Sequence, residues 1–271
     1  MKQSGIRTLI YVLLIGYSIY VLLPIVWMVL SALKTTRELF RNPFGFPEAA
    51  RWSNFVVAWQ RGMADFFLNS ILVTIAAVTL IVVVSALAAY ALARLQFPGR
   101  TPIYVLLIAG YAIPIHIVLV PLYQTLSRMG WLNTYQGMIG PYVAFGIPFS
   151  VLLLYAFFIE FPKDIEDAAQ LDGCNLWQMM FHVVLPLSRT GLASVAIFQS
   201  VAIWNEFLLA LIVVRDDALK TLPLGLMTFQ GEWSNNWPLM LAALALASLP
   251  LLALYVILQR HFINSLTGLS R

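Results

Sequence analysis

The chain has 271 residues, 61% of them hydrophobic and 10% charged, against about 45–50% and about 25% in an ordinary soluble domain. With a mean hydropathy of +0.85, this composition excludes a soluble globular enzyme and fits a polytopic membrane protein. The net charge of +4 does not point to nucleic acid, because Lys and Arg stand between the apolar runs, where loops and lipid headgroups account for them.

A membrane helix needs about 20 apolar residues rising about 1.5 Å each. Six stretches qualify: residues 9–33, 67–92, 102–122, 137–158, 191–214 and 238–258. The predicted fold is all-α, with six transmembrane helices in a single domain over residues 1–271. The first run is uncharged for 26 residues, from Thr8 to Leu33. A secretory signal core runs to about 7–15, so this is read as a retained span. A polar segment, residues 34–65, follows and holds Pro43, Gly45 and Pro47. The basic turn 94–100 leads into the third span, which contains Pro114 and Pro121; the fourth contains Pro141 and Pro148. Each proline frees a carbonyl that neighbouring helices or a water-lined path must satisfy. A plain kink and a cavity wall both remain open.

The fifth span carries Glu206, the one acid inside any predicted span. Counted from Gly191, it lies roughly 22 Å along a span of about 35 Å. A carboxylate there marks a pathway or is bonded to a neighbouring helix, and both readings stand. Residues 215–237 then reach Trp233 and Trp237, expected at the membrane interface. Six spans put both ends on one side, but charge does not choose the side. Lys2, Arg7, Arg94, Arg100, Lys163, Arg189, Arg260 and Arg271 balance Lys34, Arg37, Arg41, Arg51, Arg61, Arg128, Arg215 and Lys220.

Between the fourth and fifth spans lies DIEDAAQLDGCNLWQMMFHVVLP, residues 164–186. Five of the twelve acids fall between Glu160 and Asp172. Pro162 and the early acids predict a short helix, stopped at Gly173. Ile165, Ala168, Ala169 and Asp172 share one of its faces, and the two alanines let another backbone come close. Beyond Gly173, Trp177, Met180, Phe181 and Val184 recur at helical spacing, an apolar stripe suited to the membrane surface. Leu185-Pro186 closes the segment, which reads as a docking platform on a hydrophobic base.

Those residues carry a resemblance. Asp167-Ala168-Ala169, three residues, Gly173, nine residues, then Val183-x-Leu185-Pro186 is similar to the EAA loop of ABC-importer permeases, with Asp for Glu and Val for Ile. Trp204-Asn205-Glu206-Phe207 resembles the W-N-[ED]-F segment of ABC sugar permeases. Ala89–Arg94 with Phe97-Pro98-Gly99, Pro121-Leu122-Tyr123, Leu132-Asn133-Thr134, Thr221–Gly225 and the tail from Phe262 to Gly268 extend the likeness along nearly the whole chain. It is closest to the maltose-type, carbohydrate branch of the binding-protein-dependent permeases, although the tail lacks the usual glycine-lysine finish.

The resemblance implies a sugar permease of the bacterial or archaeal cytoplasmic membrane, with this loop inside as a coupling helix. Glu166, Asp167, Ala168, Ala169, Asp172, Gly173, Leu185 and Pro186 would dock an ATPase. Trp204, Asn205, Glu206, Tyr111 and Tyr142 would line the substrate path. Gly225, Phe229, Gln230 and Gly231 would form the tip of an outer segment facing a solute-binding protein. A second permease subunit and two ATPase copies are implied as partners. ATP and magnesium would sit on those ATPases, since the chain has no G-x-x-x-x-G-K-[ST] phosphate loop. No cofactor, metal or catalytic residue is expected in this chain, and no nucleic acid partner. His116 and His182 are not paired with acids at metal-ligand spacing, and the single Cys174 excludes an intrachain disulfide or a cysteine-based metal cluster. The alternative is an ion-coupled secondary transporter, which predicts repeated halves and more intramembrane acids.

Overall fold

In lipid, a helix satisfies its own backbone hydrogen bonds, and among the described residues every regular element is helical. The computed structural model describes residues 2–232 and 236–267, with backbone alone at 2–5, 228–232, 254, 255 and 257–267. In order the helices are α1 (Lys2–Ala32), α2 (Thr36–Arg41), α3 (Ser53–Ala58), α4 (Ala64–Arg94), α5 (Arg100–Ala112), α6 (Ile115–Arg128) and α7 (Tyr135–Glu160). There follow α8 (Lys163–Leu171), α9 (Leu176–Leu187), α10 (Arg189–Trp204), α11 (Leu208–Val213), α12 (Leu222–Glu232) and α13 (Trp237–Thr267).

Three stretches are long and apolar enough to cross a bilayer unbroken: Ile6–Ala32, Ser53–Arg94 and Tyr135–Glu160. Two bent pairs, α5 with α6 at 100° and α9 with α10 at 73°, raise the total to five. The predicted sixth lies in α13, whose described apolar stretch, Trp237–Ala253, is shorter. Six unbroken spans are thus not what the described residues form. The third span breaks because a residue before proline is pushed out of the helical region; Ile113 takes ψ 118° and Pro114 ψ 131°. Pro121, Pro141 and Pro148 instead remain inside continuous helices. The fifth span stops at Trp204 and resumes at Leu208.

The chain divides into two compact units. The first comprises Met1–Phe67 and Leu224–Pro250. Here α1 exposes apolar side chains from Ile6 to Val26, a surface that suits lipid rather than water. The polar segment that follows α1 is ordered: Thr35 and Glu38 form a reciprocal capping box at α2. Lys34, 1% exposed, donates from Nζ to the carbonyls of Asn42 (2.9 Å) and Pro43 (3.2 Å). Gly225 corrects an expectation, for it is buried rather than at a loop tip. A Cβ there would stand 2.1 Å from the Phe66 ring, so only glycine lets α12 lie against it. The side chains of Phe229 and Gln230, the exposure of Gly231 and all of Trp233 lie outside the described residues.

The second unit comprises Leu68–Pro223 and Leu251–Arg271. α5 packs along α7 through Tyr104 against Tyr155 and Tyr111 against Phe149, with ring centroids 4.6 and 5.7 Å apart. α10 joins α7 through Gln199, whose Nε2 donates to Gly146 O (3.1 Å) and Ser150 Oγ (2.9 Å). Asn133 takes a left-handed φ of 58°, and its Oδ1 accepts from the amides of Arg215 and Asp216.

Candidate functional site

Two places gather the residues singled out from the sequence. The first is the loop between α7 and α10. α8 starts after Pro162 and carries Asp164 and Glu166 in its first turn, where the helix dipole favours acids. It ends as the sequence predicts. Gly173 adopts φ +86°, and the amides of Gly173 and Cys174 return to the carbonyls of Gln170 and Ala169, each at 3.0 Å. This double closure satisfies carbonyls that the helix end leaves free. Asn175 and Gln178 then cap α9 reciprocally, both bonds being 2.9 Å.

The faces sort differently from expectation. Asp167, Ala168, Asp172, Gly173 and Pro186 are exposed, with Leu185 half-buried. Glu166 and Ala169 point inward, 7% and 8% exposed. Glu166 is therefore turned away from any partner that meets the outer face. Its Oε1 lies 2.7 Å from Arg94 Nε at the end of α4, and the Tyr90 hydroxyl lies 3.5 Å from Oε2. Arg94 also donates to the carbonyl of Phe161.

The apolar stripe is corrected as well. Met179, Met180 and Val184 are buried, while Trp177 and Phe181 are exposed and stacked, with centroids 6.1 Å apart and planes 16° apart. A π-helical turn, Met179–Val184, intervenes, and its extra residue per turn rotates the 3.6-residue pattern off one face. The turn precedes Pro186, whose ring would crowd the carbonyl of His182 in a regular helix.

The second place is a cavity of about 340 Å³ in the second unit, walled by Tyr111, Tyr142, Phe145, Phe149, Phe198, Gln199 and Glu206 among others. Glu206 lies in the break between α10 and α11. Its carboxylate accepts from Tyr142 Oη (2.8 Å) and from the amides of Leu209 (2.8 Å) and Ala210 (3.2 Å). Those amides open α11, so the acid caps a helix and ties α7 to it. Of the sequence-chosen set, Tyr111, Tyr142 and Glu206 meet at this cavity. Trp204 is buried and Asn205 exposed, neither lining it; Asn205 Nδ2 donates back to Val201 O at 2.8 Å. Sequence reasoning missed Gln199, Phe149 and Phe198, although Gln199, a lone amide in an apolar helix, was the available signal. Among the described residues no group of His, Cys, Asp and Glu is placed to hold a metal.

Residues 81–268 match the family described as the inner membrane component of binding-protein-dependent transport systems. A probable ABC transporter permease, YurM of Bacillus subtilis, is 36% identical over 97% of this chain and 87% of its own. The diacetylchitobiose uptake permease NgcG of Streptomyces coelicolor is 36% identical over 95% and 86%. The trehalose/maltose permease MalG of Thermococcus litoralis is 30% identical over 97% and 95%. In fold, the chain resembles a chain from the crystal structure of a bacterial ABC transporter importing the acidic polysaccharide alginate. The TM-score is 0.81 at 19% identity, over 97% of this chain and 98% of that one.

Proposed function

The chain belongs to the family of inner-membrane components of binding-protein-dependent transport systems, and from that premise we propose that it passes a sugar or oligosaccharide through the cytoplasmic membrane as one of two paired permeases. The family is a transport component rather than an enzyme. In this reading the chain makes six passes, counting each bent or interrupted pair as one, with α8 inside. A cytoplasmic ATPase, one of two that carry ATP and magnesium, docks on Asp167, Ala168, Asp172 and Gly173. A solute-binding protein delivers the substrate from the other side. ATPase closure shifts the permease between inward- and outward-open states only if the docked loop binds the two ATPase states differently.

The observation that carries this reading is a capped helix with the family's spacing that turns Asp167, Ala168, Asp172 and Gly173 outward. The exposed acids offer complementary charge to a basic cleft. The sugar assignment draws on the cavity, whose aromatic walls suit the C–H faces of a pyranose while Gln199 and Glu206 supply polar edges. Relatives named for diacetylchitobiose and trehalose/maltose point the same way.

The test is the assembled complex in proteoliposomes with its binding protein. Radiolabelled diacetylchitobiose, trehalose, maltose, arabino-oligosaccharides, amino acids and divalent metal ions are offered in turn, and ATP hydrolysis is followed. At least one sugar is expected to accumulate and to stimulate hydrolysis. A panel in which amino acids or metal ions do so and every sugar fails would remove the sugar reading.

A further inference from the structure

A docked helix is expected to move the elements it is joined to through the chain, here α7 and α10. The side chains add a third. Arg94 and Glu166 have side chains only 9% and 10% exposed, and they meet at 2.7 Å. Arg94 also holds the carbonyl of Phe161, where α7 ends. One turn earlier on α4, Tyr90 brings its hydroxyl to 3.5 Å from the other Glu166 oxygen and sets its ring edge-on to Phe158, centroids 5.9 Å apart. The last turn of α4 is thus fastened to α8 and to the end of α7 at one buried point.

We propose that Arg94 and Glu166 are positioning residues that make α4 a third lever, so that displacement of α8 is carried into α4 as one body. The physical reason is the asymmetry of buried charge. A buried pair contributes little net stability while intact, but separating it strands a charge that neither water nor a partner compensates. Sliding α8 past α4 is therefore the costly motion, and moving them together is the cheap one. Glu166 differs in this from Asp164, Asp167 and Asp172, which face outward on the same loop. The proposal rests on the reading that α8 receives the ATPase.

The experiment uses the full complex in nanodiscs, with Cys174→Ser and spin labels at Val84→Cys on α4 and Gln170→Cys on α8. The distance between labels is measured nucleotide-free and with ATP trapped. With Arg94 and Glu166 intact, one unchanged distance is expected in both states. In Arg94→Gln a nucleotide-dependent shift of about 2 Å is expected, the scale of helix shifts in switching proteins, and the exchange Arg94→Glu with Glu166→Arg should reduce it. A shift of that size with the pair intact overturns the proposal, and that measurement needs no variant of the pair to fold. Loss of the ATPase from a Glu166→Gln complex would also overturn it, making Glu166 a docking group while sparing the docking reading. The docking reading itself fails if Asp167→Arg with Ala168→Trp leaves ATPase binding unchanged.

Discussion

At the scale of single residues, Glu206 is the acid for which the sequence held two readings open, a pathway and a bond to a neighbouring helix. A carboxylate in an apolar helix is costly unless something uses it, and here Tyr142 and the amides of Leu209 and Ala210 do so. It also borders the cavity, so its bonds order that wall. Hydrogen bonds to a charged group contribute about 1.5–3 kcal/mol, and an abandoned buried donor costs about 1–3. Glu206→Ala is therefore expected to lower stability by about 2–3 kcal/mol, Glu206→Gln by less because one acceptor oxygen remains, and Tyr142→Phe least. Thermal unfolding of the detergent-solubilised protein reads that order. A Glu206→Ala chain that melts like the native one yet loses uptake would make the acid a solute contact instead. The acid was legible in the sequence because it stands alone among apolar neighbours. Trp204 and Asn205 do not line this cavity; the helix breaks beside them, and a break resets where following side chains point.

At the scale of elements, the loop from α8 to α9 was read correctly where local chemistry governs and incorrectly where periodicity was extended. Pro162, the early acids and Gly173 define α8 by rules acting within a turn, and the helix runs Lys163–Leu171 as they require. The stripe from Trp177 to Val184 assumed 3.6 residues per turn, and the π-helical turn before Pro186 removed that assumption. The inward face of Glu166 depends on Arg94 and Tyr90, over 70 positions away in the chain, so no local pattern carried it. Gly173 provides the sharper prediction. Its φ of +86° costs most residues roughly 1–2 kcal/mol, asparagine less and β-branched side chains more. A Cβ there meets nothing within 4 Å, so space is not the constraint. Gly173→Asn should keep most ATPase binding and transport, while Gly173→Val should lose both and remain in the membrane. Co-purification of the ATPase separates them; a Gly173→Val chain that retains the ATPase as well as Gly173→Asn does would show that the turn is not needed.

At the scale of the whole molecule, composition alone established a polytopic helical protein, but hydropathy counts residues and ignores bends. It read the third and fifth spans as straight, whereas Pro114 bends one by 100° and residues 205–207 interrupt the other. Interrupted spans also belong to ion-coupled transporters, where broken helices gather coupling ions around intramembrane acids. The competing reading therefore deserves a direct experiment. An ion-coupled carrier needs an acid free to exchange its cation, and the one acid of the predicted spans already holds a hydroxyl and two amides. Five of the chain's twelve acids lie between Glu160 and Asp172, at and within the loop that carries α8, which is where a partner protein would supply energy. Proteoliposomes holding the full complex are loaded with ATP and given no proton or sodium gradient. Uptake of the retained sugar should proceed at its full rate and survive ionophores that collapse every gradient. Withdrawing ATP while imposing a gradient should stop it. Uptake that follows the gradient and ignores ATP would return the chain to the ion-coupled class and make α8 an ordinary interfacial loop.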